Sequence, residues 1–391
     1  MRTRSIGLSL FAGLAIVVSA CGGGATTAPS EAAMSEVPSV APTTAPTAAP
    51  SSNLVIGVVT DIGTLNDKNF NEYSYKGAVD GAAAIGAPQP ASLVPADQTA
   101  YAADIKSFVD QHANIIVTVG FNLANATVQA AHDNPDIWFI GVDQSPICVT
   151  PEGLPDANFA CKGDAKTLLP HYISLQFQED QAGYLAGMVA AGISKSHEIG
   201  AIGGTTLCAP CVRYIQGYAL GAQSVDSTVK VDTAYVTNDF SAAAFQDQAG
   251  GKTFAENFLA QHAAVDVLFQ VAGLTGNGVL DAACAANISG IGVDVDQYLS
   301  YAAADPCLVT SAEKHLETAV SAAVQAIAGN TATPGDNLFN AANDGIGIAP
   351  FYGKASLITS DLQSKIDAAL AQMKAGTLAT CPATNCGVYT P

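Results

Sequence analysis

The stretch Thr60-Asp-Ile-Gly-Thr-Leu-Asn-Asp-Lys-Asn-Phe-Asn-Glu72 gathers three acids, one lysine, one phenylalanine and three asparagines. It stands between an apolar run, Leu54–Val59, and a stretch that reads as helix. Such a density of donors and acceptors at a strand-to-helix junction suits holding something polar. Two further residues stand in comparable places. Asp294 follows the apolar run Gly290–Val293 at about the distance of a ribose-binding acid, although Gly273, Gly276 and Gly278 are spaced GxxGxG and not as the dinucleotide fingerprint GxGxxG. Lys314 follows the apolar run Cys307–Thr310, which points it toward a cleft. Carboxylates such as Asp61 and Asp294 are capable of acid–base work, but the sequence holds no GxSxG, HExxH, P-loop or Cys–His pair at nucleophile spacing. His171, His262 and His315 are scattered. The residue types therefore fit binding and not catalysis, and neither catalytic residue, metal nor cofactor is expected. Plainer uses compete at several positions: Asp61 and Asp67 as helix caps, with Asp67 suited to a helix starting near Lys68; Phe70 as core; the glycines as turns.

These residues need a scaffold. Short runs rich in Val and Ile read as strands buried on both faces: Leu54–Val59, Ile115–Val119, Trp138–Val142, Ile199–Ile202, Val265–Val271 and Gly290–Val293. Ala-rich helical stretches lie between them, over Tyr73–Ile85, Tyr101–Gln111, Leu123–His132, Glu179–Ile193, Val212–Val225, Gly251–Gln261, Gly276–Ala286 and Glu313–Ala328, with a late helix over Asp361–Lys374. This alternation predicts an α/β fold with parallel sheets flanked by helices. At 391 residues the chain is long for one core, and two sheets fit it better. Ligands in open α/β sheets bind beyond the carboxyl ends of the strands, where polar residues and glycines follow nearly every run.

The totals narrow the partners. With 34 acids against 15 bases, net charge −19, the chain is unsuited to nucleic acid, whose phosphates need Lys and Arg. Arg2 and Arg4, the apolar run Ile6–Val18 and small residues before Cys21 follow the order of an export signal; the run is too short to span a bilayer. Val18-Ser-Ala-Cys21 resembles a bacterial lipobox, which implies lipidation of Cys21. Residues 22–52, mostly Ala, Thr, Pro, Ser and Gly, read as a disordered tether. Of nine cysteines, eight remain after Cys21. An even number in an exported chain suggests four disulfides. Sequence alone does not fix their connectivity; proximity suggests Cys148–Cys161, Cys208–Cys211, Cys284–Cys307 and Cys381–Cys386. Cys208-Ala-Pro-Cys211 lacks a thioredoxin-like context or a second metal-ligand pair, so a structural disulfide is expected there.

Five ordered blocks, VVTDIGTLNDKNFNEYSYKG, FQEDQAGYLAGMVAA, AFQDQAGGKTFAENFL, VLFQVAGLTGNGV and IGVDVDQY, resemble the basic membrane protein (BMP) lipoproteins over roughly residues 53–330. These are substrate-binding components of ABC importers and include purine-nucleoside-binding lipoproteins. The resemblance implies a two-lobe type I periplasmic-binding-protein fold with ligand trapped between the lobes. The residues already read give a signal peptide over 1–20 and a tether over 21–52. Lobe 1 is expected over 53–175 plus about 297–335, and lobe 2 over 176–296 plus about 336–391.

In nucleoside-binding members the base lies between aromatic rings, and Asp, Asn and Lys hold its edge and the ribose. Carried over, Asp61 accepts from base or ribose, Phe70 supplies one ring and Asn71 reads the base edge. Phe245 supplies the second ring, with Phe240 as fallback because Gln248 departs from the family pattern and 238–244 look inserted. Gly273 forms the ligand-side turn, and Asp294 and Lys314 clamp the ribose. The expected protein is a lipid-anchored, extracytoplasmic lipoprotein of the cell membrane, partnered by a small ligand and ABC permease subunits. The alternatives are a ligand-sensing surface lipoprotein or a binding protein for another small metabolite.

Overall fold

The computed structural model describes residues 52–61 and 63–390. The expected signal peptide, Cys21 and nearly all of the tether lie outside the described residues. The main elements are, in order, β1 (Ile56–Val59), α1 (Phe70–Ala84), β2 (Ala91–Leu93), α2 (Tyr101–Asp110), β3 (Ile115–Val119), α3 (Ala124–Asp133), β4 (Trp138–Val142), α4 (Ala165–Leu168), β5 (Tyr172–Phe177), α5 (Glu179–Ile193), β6 (Glu198–Thr205), α6 (Ala209–Val225), β7 (Lys230–Thr237), α7 (Gln248–Gln261), β8 (Val267–Val271), α8 (Gly273–Ala285), β9 (Ser289–Asp294), α9 (Gln297–Ser300), β10 (Leu308–Lys314), α10 (Leu316–Ala328), β11 (Gly335–Phe339), β12 (Ile346–Ile348) and α11 (Ser360–Lys374).

They build two sheets of six strands, ordered β2-β1-β3-β4-β5-β11 and β7-β6-β8-β9-β10-β12. All pairings are parallel except β10 with β12. The two orders are the same path walked twice. All five residues of β3 are buried, and alternate residues enter different layers. Ile115, Val117 and Val119 join the core with α1 and α10, while Ile116 faces Ile105, Phe108 and Val128 of α2 and α3. In the second sheet Phe269 packs toward α5 and α6, and Leu268 toward Phe258 and Val279 of α7 and α8. Each fully buried aliphatic side chain of this kind is worth ~1.5–3 kcal/mol.

The chain changes lobes three times: between Phe177 and Glu179, between Lys314 and Leu316, and between β11 and β12. Two sequence expectations need correction here. The return to the first lobe was expected near 297, but α9 and β10 stay with the second sheet, which runs to Lys314; β11, over Gly335–Phe339, belongs to the first. A helix was expected from Glu313, yet Glu313 and Lys314 end strand β10, paired with β9 and β12. Polar residues at the close of a central strand hid its length.

Helices α5 and α6 meet through four glycines at i, i+4 spacing, Gly183 and Gly187 against Gly217 and Gly221. A Cβ at any of them would overlap a carbonyl oxygen of the facing helix: Tyr214, Tyr218, Asp180 and Tyr184 respectively. Backbone-to-backbone contact of this closeness is open only to glycine. It sets the N-terminal ends of the two helices, and hence Glu179 and Arg213, side by side. The four disulfides pair Cys148–Cys161, Cys208–Cys211, Cys284–Cys307 and Cys381–Cys386.

Candidate functional site

A cleft lies where the carboxyl ends of both sheets face each other. The first lobe contributes Asp61 after β1, Gly120 and Phe121 after β3, Asp143 after β4, and Gly63, Thr64, Asp67, Phe70 and Asn71 from the loop into α1. The second contributes Cys208, Pro210, Cys211 and Tyr214 at the start of α6, Phe245, Val271 and Gly273 around β8, and Val293, Asp294 and Lys314 at the ends of β9 and β10. The seven residues expected at the site therefore all line one cavity.

Lys314 is the electrostatic centre. Its Nζ lies 2.6 Å from Asp143 Oδ2 and 3.6 Å from both Glu179 Oε1 and Asp294 Oδ1. It sits 4.8 Å from the ring centroid of Phe70, with Phe177 and Tyr214 further out. Burial works against its charge, but the carboxylates of Asp143, Asp294 and Glu179 outweigh it and hold Lys314 above its usual range, so it is protonated. Burial pushes Asp143 up to about 6 against the pull of Lys314, and raises Asp294 likewise. Burial also opposes ionisation of Glu179, but the Arg213 guanidinium, 2.6 Å away, and Lys314 win, and its carboxyl is held low. Tyr214 donates its hydroxyl to Asp294 Oδ1 at 3.2 Å.

Several acceptors here are unspent. Asp143 Oδ1, Glu179 Oε1 and Asn71 Oδ1 are buried without a hydrogen-bond partner among the described residues. Each such group costs about 1–3 kcal/mol while it waits for a donor. The Asn71 amide donates weakly to the Thr64 carbonyl at 3.4 Å. Asp61 is differently placed: it accepts from the Tyr101 hydroxyl, and from Asn122 Nδ2 at 3.2 Å. Asp67 accepts from the backbone N–H of Asn69, Asn71 and Glu72, but the helix starts at Phe70 with Asn69 in the N-cap position, not near Lys68, whose backbone is left-handed at φ 61°. Burial nevertheless drives the Asp67 carboxyl up to about 6. Phe245 lies over Gly204 and beside Gly273, whose φ of 53° opens α8; Phe240 instead meets Phe121, centroids 5.7 Å apart, and is not in the cleft lining.

The lobes also touch beside the cleft. Asn277 Nδ2 donates to the Asp67 carbonyl at 3.2 Å, and Ser300 Oγ to the Lys68 carbonyl at 2.8 Å. Glu198, Asp232 and His262 bring ligand atoms within 4.8 Å of one another at the β6–β7 edge. Lys230 already bridges both carboxylates there, at 3.2 and 2.9 Å, so the charge a metal would supply is present.

Sequence reasoning passed over Asp143, Tyr214, Glu179 and Arg213. For Asp143 a signal exists. Ile140-Gly-Val-Asp143-Gln144 echoes Ile291-Gly-Val-Asp294-Val-Asp-Gln297. These segments end β4 and β9, which hold the same rank in the two sheets. Both aspartates take left-handed backbone, φ 60° and 65°, a region that Asp tolerates better than most residues. In both repeats the glycine leaves room for the following glutamine, whose side chain a Cβ would strike.

The sequence model of the family described as "ABC transporter substrate-binding protein PnrA-like" matches residues 54–375. The chain is 30% identical over 257 residues to the ABC transporter nucleoside-binding protein BmpA of Lactococcus lactis, an alignment spanning 63% of this chain and 65% of that protein. It is 27% identical over 261 residues to basic membrane protein D of Borreliella burgdorferi, covering 66% and 67%. Among solved structures, an ABC solute-binding protein from Aeropyrum pernix K1 superimposes with a TM-score of 0.69 at 21% identity, over 83% of this chain and 92% of that one. At that identity the likeness speaks for the fold alone.

Proposed function

Because the chain belongs to the family of PnrA-like ABC transporter substrate-binding proteins, we propose that it captures a purine nucleoside between its lobes and presents it to ABC permease subunits. The observation that carries this reading is the cluster at the cleft floor: one buried ammonium shared by aspartates of both lobes, with Asp143 Oδ1 and Asn71 Oδ1 left unpartnered. A ribose diol supplies donors for Asp143 and Asp294 and an acceptor for Lys314. A purine edge supplies a donor for Asn71, and its faces suit Phe70 and Phe245. Asp61 lines the same wall, and the Gly273 turn brings backbone close to the ligand. The order of basic, apolar and small residues before Cys21 supports lipid anchoring on the extracytoplasmic side of the membrane.

Thermal unfolding with adenosine, guanosine and inosine, against ribose and free bases, tests this. A nucleoside at about 100 times its Kd adds about 2.7 kcal/mol of stability. Saturating nucleosides without effect, beside a shift from a sugar or another metabolite, would overturn the nucleoside assignment.

A further inference from the structure

Of the four disulfides, Cys208–Cys211 is the one whose two sulfur-bearing residues both line the ligand cleft. Cys208 is the N-cap of α6 and accepts from the Cys211 backbone N–H at 3.1 Å. Both residues are buried, and the cleft is the cavity they line. Two and three residues beyond Cys211 stand Arg213, bonded to Glu179, and Tyr214, bonded to Asp294. The cross-link therefore fixes the first turn of the helix that holds two carboxylates of the charged floor.

We propose that Cys208–Cys211 is a thiol-modification site inside the ligand cleft, reduced by small thiols when the cleft is empty, and that its reduction weakens ligand binding. Two molecules of a low-molecular-weight thiol, R–SH, supply two electrons and two protons. The Cys208–Cys211 bond breaks to two thiols and R–S–S–R forms. Two unbonded sulfurs need more room than a bonded pair and take it from the cleft. Linkage then makes the effect reciprocal: whatever factor reduction takes from ligand affinity, ligand returns as resistance to reduction.

The experiment uses the full-length protein, with alkylation and peptide mass mapping of each disulfide. Its ligand-independent arm compares dithiothreitol with thioredoxin, a protein-sized dithiol. Cys208–Cys211 should yield to dithiothreitol only, whereas Cys381–Cys386, with Cys386 exposed, should yield to both. Its second arm rests on the nucleoside reading. The Kd of the bound nucleoside should rise about tenfold on reduction, within the usual range of coupled sites. The same nucleoside should lower the reduction potential of Cys208–Cys211 by the matching about 30 mV, leaving Cys381–Cys386 unmoved. A Cys208→Ser/Cys211→Ser variant should reproduce the weaker Kd, and the reduced wild type serves should that variant fold poorly. Equal Kd in both redox states, or ready reduction of Cys208–Cys211 by thioredoxin, would overturn the proposal. Should no nucleoside shift the melting temperature of the oxidised protein, the ligand assignment fails separately, and the comparison of the two dithiols still decides this site.

Discussion

Replacing Lys314 by methionine keeps the length and apolar stem of the side chain and deletes its charge. The ammonium lies 2.6 Å from Asp143 and 3.6 Å from Glu179 and Asp294. At an effective dielectric near 20, unit charges at those separations attract by roughly 4–6 kcal/mol before desolvation. Removing one member of a buried pair costs about 3–5 kcal/mol net. The penalties for three carboxylates do not simply add, because each can take up a proton instead. In the wild type, burial already sets the Asp143 carboxyl at about 6, above its ordinary 3.8. Between those values the folded chain holds more protons than the unfolded one. The contribution of Asp143 is therefore present in full below about pH 4 and is lost as pH rises through about 6. Without Lys314, the carboxyls of Asp143 and Asp294 move higher still, and the loss extends past neutrality. Lys314→Met should thus lose about 3–5 kcal/mol at neutral pH, roughly 6–10 °C in melting temperature at ~2 °C per kcal/mol for a chain of this size. It should regain most of that near pH 5. Thermal unfolding by circular dichroism from about pH 5 to 8, at constant ionic strength, measures both. A deficit of the same size at both ends of the range would refute the reasoning, because the carboxylates would then not be what the lysine answers.

Asp294→Ala should weaken purine nucleosides by ~1.5–3 kcal/mol, the worth of a charged hydrogen bond to a buried hydroxyl, and leave free bases nearly unchanged. Calorimetric titration of both ligand types checks it; equal losses would remove the ribose role. Gly187→Ala and Gly221→Ala each place a methyl on a facing carbonyl oxygen. Each should cost ~1–3 kcal/mol or more in urea unfolding, and a change below ~0.5 kcal/mol would mean that α5 and α6 part without penalty.

Much of this architecture is legible in the sequence, and the reasons for the rest are local. Ile115–Val119 and Trp138–Val142 are strands to the residue, because central parallel strands are buried on both faces and read as unbroken apolar runs. Lys230–Thr237 was not read as a strand: it is an edge, half-buried, and its Lys-Val-Asp-Thr alternation resembles a polar connection. The crossing strand β11, Gly-Asp-Asn-Leu-Phe, is hidden in the same way. At the site, the family resemblance of words such as Asn-Phe-Asn pointed to residues that the fold brings to one cavity. It did not supply Asp143, which lies 171 residues from the lysine it pairs with. Nor did it supply Glu179 or Arg213, whose types look like ordinary surface charge until the glycine contact between α5 and α6 buries them. Asp67 shows the reverse: its bonds to the first-turn N–H groups were legible as capping, two residues before the N-cap position itself, while its second position on the cleft wall was not.

Lys314 is the last residue of β10 before one lobe crossing, and Glu179 is the first residue of α5 after another. Any rotation of one lobe upon the other turns about these crossings, and displacement grows with distance from the axis. Charges placed at the pivot hardly travel, whereas the loop from Gly63 to Asn69, held by Asn277 and Ser300, follows β1, three strands from the crossing strand β5, and moves further. A ligand seated on that floor would keep its anchor through the whole stroke. Its escape would then be governed by the retreat of the outer wall and the breaking of two backbone-directed hydrogen bonds, with the buried ion cluster left assembled for the next ligand.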